Sequence, residues 1–239
     1  MRQIVLLLLV SLLFAVTVSA DSQIRFGVKA GATMANMSGD GWDAVEQMET
    51  VTIDKKALFG VAGGLSAEMY IGTSGVSIQP EVLYVTKGAK GETTEADDDT
   101  YTVKLKNDYI EVPVLVKYNF TSTGSASPFM FVGPVAAFNI ASKYQVENPP
   151  ADDPNLGDKD IDNAKSLDFG LTIGGGLGLA VGQSGKVTFD LRYTVGLGVV
   201  FEDAGALVDG TDKINIVDDE DKALEFKNND FRLMVGFQF

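Results

Sequence analysis

Residues 187–201 read VTFDLRYTVGLGVVF. One alternate set is Val187, Phe189, Leu191, Tyr193, Val195, Leu197, Val199 and Phe201; the other is Thr188, Asp190, Arg192, Thr194, Gly196 and Gly198. Strict period-two alternation is the pattern of a strand with two different faces. Residues 167–181 repeat it, with Leu167, Phe169, Leu171, Ile173, Leu177 and Leu179 against Asp168, Gly170, Thr172, Gly174, Gly176 and Gly178. One face is bulky and apolar, and the other is polar or minimal. A water-soluble barrel would pack the bulky face inside and show glycine to water strand after strand, which weakens a sheet. A membrane barrel turns the bulky face to hydrocarbon and keeps small and polar groups in its lumen. The two segments therefore predict strands that cross a bilayer; a secreted β-sandwich is the competing arrangement.

The same alternation recurs along the chain, which carries 26 glycines. Eight strands are expected, near residues 24–36, 58–71, 76–87, 101–120, 129–142, 167–181, 187–201 and 230–239. The links GTSG, TSTGSAS and GQSGK are short, and those after the first, third, fifth and seventh strands are long and acidic. Alternating short and long links are those of an antiparallel meander. The last segment, FRLMVGFQF, places Phe231, Leu233, Val235, Phe237 and Phe239 on the apolar face and stops on an aromatic residue. An even number of strands would bring it beside the first and leave no unpaired edge in lipid. The fold class expected is all-β: an eight-stranded antiparallel up-and-down transmembrane β-barrel with short periplasmic turns and long extracellular loops. In the fifth strand both alternate sets are apolar, Phe129, Phe131 and Val135 against Met130, Val132 and Phe138, so its facing stays open. Pro113 and Pro134 mark places where a ladder hydrogen bond is lost.

The N-terminus MRQIVLLLLVSLLFAVTVSA has one basic residue, an apolar run and a small-residue exit, the pattern of a cleavable secretory signal over residues 1–20. The barrel domain is then residues 21–239. A chain of 239 residues without cysteine has no disulfide framework and no site for N-terminal lipidation, and it must be stabilised by its sheet. A net charge of -14 argues against nucleic acid as a partner.

The stretches FGVKAGATMANM, IQPEVLYVTKG, DYIEVPVLVKYNF, PFMFVGPVAAFN, LDFG, FDLRYTVGL and the terminal GFQF resemble the PorT-like, OmpA-type eight-stranded group of outer-membrane β-barrel domain proteins. The resemblance runs over essentially the whole mature chain. It implies a Gram-negative outer membrane as the location, membrane lipid as the surrounding partner, and recognition of the C-terminal strand by the barrel-assembly machinery. Catalytic barrels of this size resemble one another in using histidine, and this chain has none, so no enzyme activity and no cofactor are expected.

Projecting the alternation inward puts Arg25, Lys29, Lys117, Arg192 and Arg232 in the lumen with Glu68, Glu81, Glu111, Asp168 and Asp190. Eight strands enclose a lumen that side chains alone fill. Unpaired charge there costs several kcal/mol, so the set is expected to be paired. The near balance favours a static plug over an ion-selective pathway. Acidic residues outnumber basic ones in every long link: 5 to 2 in 38–56, 5 to 1 in 88–100, 6 to 3 in 143–166 and 9 to 3 in 202–227. These loops could bind divalent cations or simply stay solvated. The run DKDIDN places Asp158, Asp160 and Asp162 at alternate ligand positions of a calcium loop, but Phe169 stands where the bidentate glutamate belongs, which makes this a weak metal candidate. Trp42 lies in the first loop, and GGGLGLAVG lies within the sixth strand, where a phosphate loop does not form. The function expected is a barrel with a charge-compensated plug that acts through its acidic loops; the alternative is a narrow pore for ions or small solutes.

Overall fold

A computed structural model describes residues 24–39, 52–94, 100–121, 124–147, 159–161, 164–200 and 225–239. The strands are β1 (Ile24–Ser38), β2 (Thr52–Tyr70), β3 (Val76–Thr94), β4 (Thr100–Asn119), β5 (Ala126–Glu147), β6 (Lys159–Asp160), β7 (Leu167–Val181), β8 (Gly185–Gly196) and β9 (Lys227–Gln238). Eight of them form a ring: each pairs antiparallel with its sequence neighbour, β5 with β7, and β9 closes on β1 from Gly27↔Gln238 to Ser38↔Lys227. The two-residue β6 pairs with the outer end of β5. Closure leaves no edge with unpaired backbone groups, the condition for crossing lipid with strands.

Both faces follow the side-chain alternation. Val61, Leu65, Val116, Ile173, Leu191 and Leu233 stand on the outside, each more than half exposed, while Arg192, Arg232, Glu68, Glu81 and Glu111 are at most 1% exposed inside. The fifth strand resolves with Phe129, Phe131 and Val135 inward and Met130 and Val132 outward. The reason lies on β7: a Cβ on Gly174 or Gly176 would come within 2.5 Å or 2.8 Å of the Phe131 and Phe129 rings. Those glycines vacate the volume that the two aromatic rings fill, and the rings stack at 6.2 Å.

The strands on one side run longer than the alternation alone suggests. β3 continues to Thr94 and β4 begins at Thr100, so most of the link expected over 88–100 is a paired hairpin. β8 in contrast ends at Gly196, five residues short of the expectation. Leu197 and Gly198 donate N–H bonds to the Phe169 carbonyl, and Val200 turns inward to 1% exposure. Register shifts fall between Ala57 and Ala62 on β2 and at Asp108/Tyr109, where β5 carries the extra residue Ile140. Pro113 and Pro134 interrupt pairing without changing register: Pro113↔Val135 and Val116↔Val132 lie on one diagonal.

The short connections after Tyr70, Asn119 and Val181 share one rim with Ile24 and Phe239, which makes this the periplasmic rim of an outer-membrane barrel. At the other rim Met37, Ala89, Leu105, Val200 and Phe226 form a small apolar core, with Tyr144, Ile161 and Ala164 packed against it. This core covers the outer end of the lumen.

Two substitutions separate the faces. Gly176→Ala would place a Cβ 1.9 Å from the Phe189 carbonyl, a backbone atom that cannot step aside; it is expected to destabilise the barrel by about 1–3 kcal/mol in urea unfolding from lipid vesicles. Leu233→Arg, 59% exposed on the outer face, is expected to cost about 2–4 kcal/mol in the same assay if it sits near mid-bilayer, whereas a water-facing position would lose almost nothing.

The lumen as candidate functional site

Twelve charged side chains among the described residues are buried: Lys29, Lys87, Lys117, Lys186, Arg192 and Arg232 against Glu68, Glu81, Glu111, Asp168, Asp190 and Asp230. Ten of them are organised into three clusters that are each neutral, and Asp168 and Lys186 stand outside these clusters. In the first tetrad Lys29 reaches Glu81 at 2.7 Å and Asp190 at 3.1 Å, and Arg192 reaches the same two carboxylates at 2.7 Å and 2.8 Å. In the second, Lys87 reaches Glu111 at 2.6 Å and Asp230 at 3.2 Å, and Arg232 forks onto Glu111 at 2.6 Å and 3.0 Å while its Nε and Nη2 donate to Asp230. Each tetrad holds one lysine, one arginine, one aspartate and one glutamate, and each cation touches both anions.

The local sequence explains the arrangement. β8 and β9 each carry Asp-x-Arg, Asp190-Leu-Arg192 and Asp230-Phe-Arg232, with both charged residues inward because they are two apart. The strands are antiparallel, so Arg192 pairs directly with Arg232. Like charges opposite one another are unfavourable. Here the two aspartates lie on either side of the arginine pair, and Glu81 and Glu111 reach across the lumen from β3 and β4 to complete the neutralisation.

A third cluster lies nearer the periplasmic rim. Glu68 accepts from Lys117 at 3.0 Å, Ser77 at 2.8 Å, Asn119 at 2.9 Å and Gln238 at 3.0 Å. Gln79 links it to the first tetrad by accepting from Lys117 and donating to Glu81. Aromatic faces supply the remaining contacts: the Lys117 ammonium lies 4.2 Å from the Phe129 centroid and the Arg192 guanidinium 5.0 Å from that of Phe131.

Of the ten residues expected in the lumen, Lys29, Glu81, Asp190 and Arg192 meet in one tetrad, Glu111 and Arg232 in the other, and Glu68 and Lys117 in the third cluster. Arg25 is only half-buried at the periplasmic rim, and no ion pair reaches it among the described residues. Asp168 is buried but pairs with no cation there; its Oδ1 accepts the Gly198 N–H at 3.2 Å. Sequence reading missed Lys87, Lys186 and Asp230. Each lay in reach of the alternation, Lys87 two residues beyond Val85 and Asp230 in the repeated Asp-x-Arg, but each stood at or beyond an assumed strand end.

The weak metal candidate falls mostly outside the described residues, as Asp158 and Asp162 do. Asp160 is exposed on β6, and Phe169 is 55% exposed on the outer face. Among the described residues no group of three or more acidic, histidine or cysteine side chains could hold a metal ion. The expected signal segment and Trp42 also lie outside them. The five apolar residues of the last strand, Phe231, Leu233, Val235, Phe237 and Phe239, all face outward at 41–62% exposure.

Removing one partner from a buried ion cluster costs more than removing the pair. Arg232→Met should therefore destabilise the barrel by roughly 3–5 kcal/mol in vesicle unfolding, and Arg232→Met with Glu111→Gln should lose clearly less than the sum of the two single changes.

Comparison with curated proteins gives no match. Among solved structures the chain is similar to Neisserial surface protein A, at 14% identity over 90% of this chain and 97% of that one, with a TM-score of 0.42. It is also similar to OprG from Pseudomonas aeruginosa, at 10% identity over 90% and 95%, TM-score 0.43, and to Ail of Yersinia pestis, at 9% identity over 91% and 99%, TM-score 0.35. A family model described as outer membrane protein beta-barrel domain matches residues 18–202. With an apolar exterior, a closed antiparallel ring and that match over most of its length, the chain belongs to the outer membrane protein beta-barrel domain family.

Proposed function

We propose that the protein is a closed, non-enzymatic anchor in the outer membrane whose work is done at its extracellular rim, through contact with surface molecules, and not by passage through the lumen. The observation that carries this reading is the closure of the two tetrads. Their eight side chains are only 0–3% exposed, so a water-sized sphere barely touches them from either end. An ion would have to break contacts that hold both charges in a dry interior, at several kcal/mol per orphaned charge. The apolar core of Met37, Leu105, Val200 and Phe226 adds a second barrier above them.

The segments that join strand ends at the extracellular rim, 40–51, 95–99, 148–158 and 201–224, carry 19 acidic residues and 2 basic ones. Chemistry of that sign suits cationic partners or divalent ions bridging to the phosphates of the surrounding lipid surface. Residues 1–20 fit a cleaved export signal, and the outward aromatic ladder ending at Phe239 fits recognition by the assembly machinery.

Conductance across a planar bilayer tests the reading. Refolded protein, verified by heat-modifiable gel mobility, should give no discrete steps at any salt concentration from 0.1 to about 1 M, where exposed charges would be screened. Reproducible steps that change size in Arg192→Gln or Glu111→Gln would replace the anchor with a gated pore. Deleting Phe239 should leave unassembled protein in the periplasm while refolding in vitro is retained.

A further inference from the structure

The geometry points to a phosphate-binding site in the periplasmic mouth of the barrel, formed by Lys186 and Arg25. A cavity of about 260 Å³ opens there, lined by Arg25 and Tyr70 on one side and by Ser127, Gln183, Ser184 and Lys186 on the other. Lys186 is 8% exposed, and it alone of the six buried cations is joined to no carboxylate among the described residues. Its ammonium lies 5.9 Å from the Phe129 centroid, at the outer limit of a cation–π contact. A buried ammonium without a counter-charge is unfavourable, and the other buried cations among the described residues are each paired with a carboxylate.

The lysine is held in place by its surroundings. On β7, paired through Gly178↔Thr188 and Ala180↔Lys186, Gly178 has no side chain, and a Cβ there would lie 2.0 Å from Lys186 Cε. The lysine stem occupies the space this glycine vacates and ends in the cavity wall. Arg25 faces the same cavity from β1 and is likewise free of ion pairs among the described residues. Glu68, the buried acid near the mouth among the described residues, already accepts from Lys117, Ser77, Asn119 and Gln238.

The donors of the site select the ligand. A guanidinium fork, an ammonium, the Ser127 and Ser184 hydroxyls and the Gln183 amide offer more N–H and O–H groups than the two oxygens of a carboxylate accept. A phosphate group, with three or four acceptor oxygens, matches them. At this rim a phosphate could come from the headgroup of an inner-leaflet phospholipid or from a soluble periplasmic phosphate compound; the chemistry is shared.

Isotope-labelled barrel in phosphate-free maltoside micelles, titrated with inorganic phosphate and followed by NMR, tests the assignment. The expected result is a saturable shift confined to the amides of Arg25, Ser127 and residues 182–186. Arg25→Gln and Lys186→Gln should each weaken it by about tenfold or more, the equivalent of about 1.4 kcal/mol. Gly178→Ala removes no charge but displaces the lysine stem, and it should weaken binding as well; a loose attraction of phosphate to a basic rim would not register it. Heat-modifiable mobility checks that each variant folds, and half-buried Arg25 keeps the test alive if Lys186→Gln does not. Displacement of phosphate by sub-micellar dihexanoyl phosphatidylglycerol would identify a lipid headgroup as the source, and binding of phosphate without displacement would identify a soluble one. Shifts that never saturate, spread over surface lysines or persist unchanged in Arg25→Gln and Gly178→Ala would overturn the site.

Discussion

Charge taken into a space too narrow for water must be neutralised there, and the interior of this barrel is built around that requirement. Eight strands leave a lumen that side chains fill. Any lysine or arginine admitted to it needs a carboxylate within about 3 Å to offset the loss of hydration. The two tetrads meet the requirement with every cation touching two anions, and each does so with residues from three strands, β1, β3 and β8 for the first and β3, β4 and β9 for the second. Buried ion pairs contribute little net stability by themselves. Their effect is to specify register: a one-residue slip of β8 against β9 would turn Asp190 and Arg192 into lipid.

The second organising element is the exchange of volume between β5 and β7. Aromatic rings inside an eight-stranded barrel need space that a neighbouring strand must give up. The glycines 174 and 176 give it to Phe131 and Phe129, and the rings in turn present their faces to Lys117 and Arg192. Glycine inside a strand weakens it when nothing replaces the side chain. Here the rings of Phe131 and Phe129 take the space that Gly174 and Gly176 leave.

The two ends of the barrel differ. At the extracellular rim the lumen meets an apolar core, and the connecting segments are overwhelmingly acidic. At the periplasmic rim it opens into a cavity lined by two cations, Arg25 and Lys186, that form no ion pair among the described residues.

The alternation of residues 167–181 and 187–201 was enough to determine the architecture, because a strand has a period of two and only lipid rewards a bulky face turned away from a glycine face. That local arithmetic located eight strands and put Lys29, Glu81, Glu111, Asp190, Arg192 and Arg232 on the inner face. It could not decide the facing of the fifth strand, where both sides are apolar and the outcome depends on the space left by Gly174 and Gly176 on β7. Strand ends were equally out of reach: β3 and β4 extend because they pair with each other, and β8 stops because Val200 is drawn into the outer apolar core. Lys87 and Asp230 were missed for that reason. Which anion meets which cation, and that Lys186 meets none among the described residues, is a matter of distances across the lumen, and those exist only once the ring has closed.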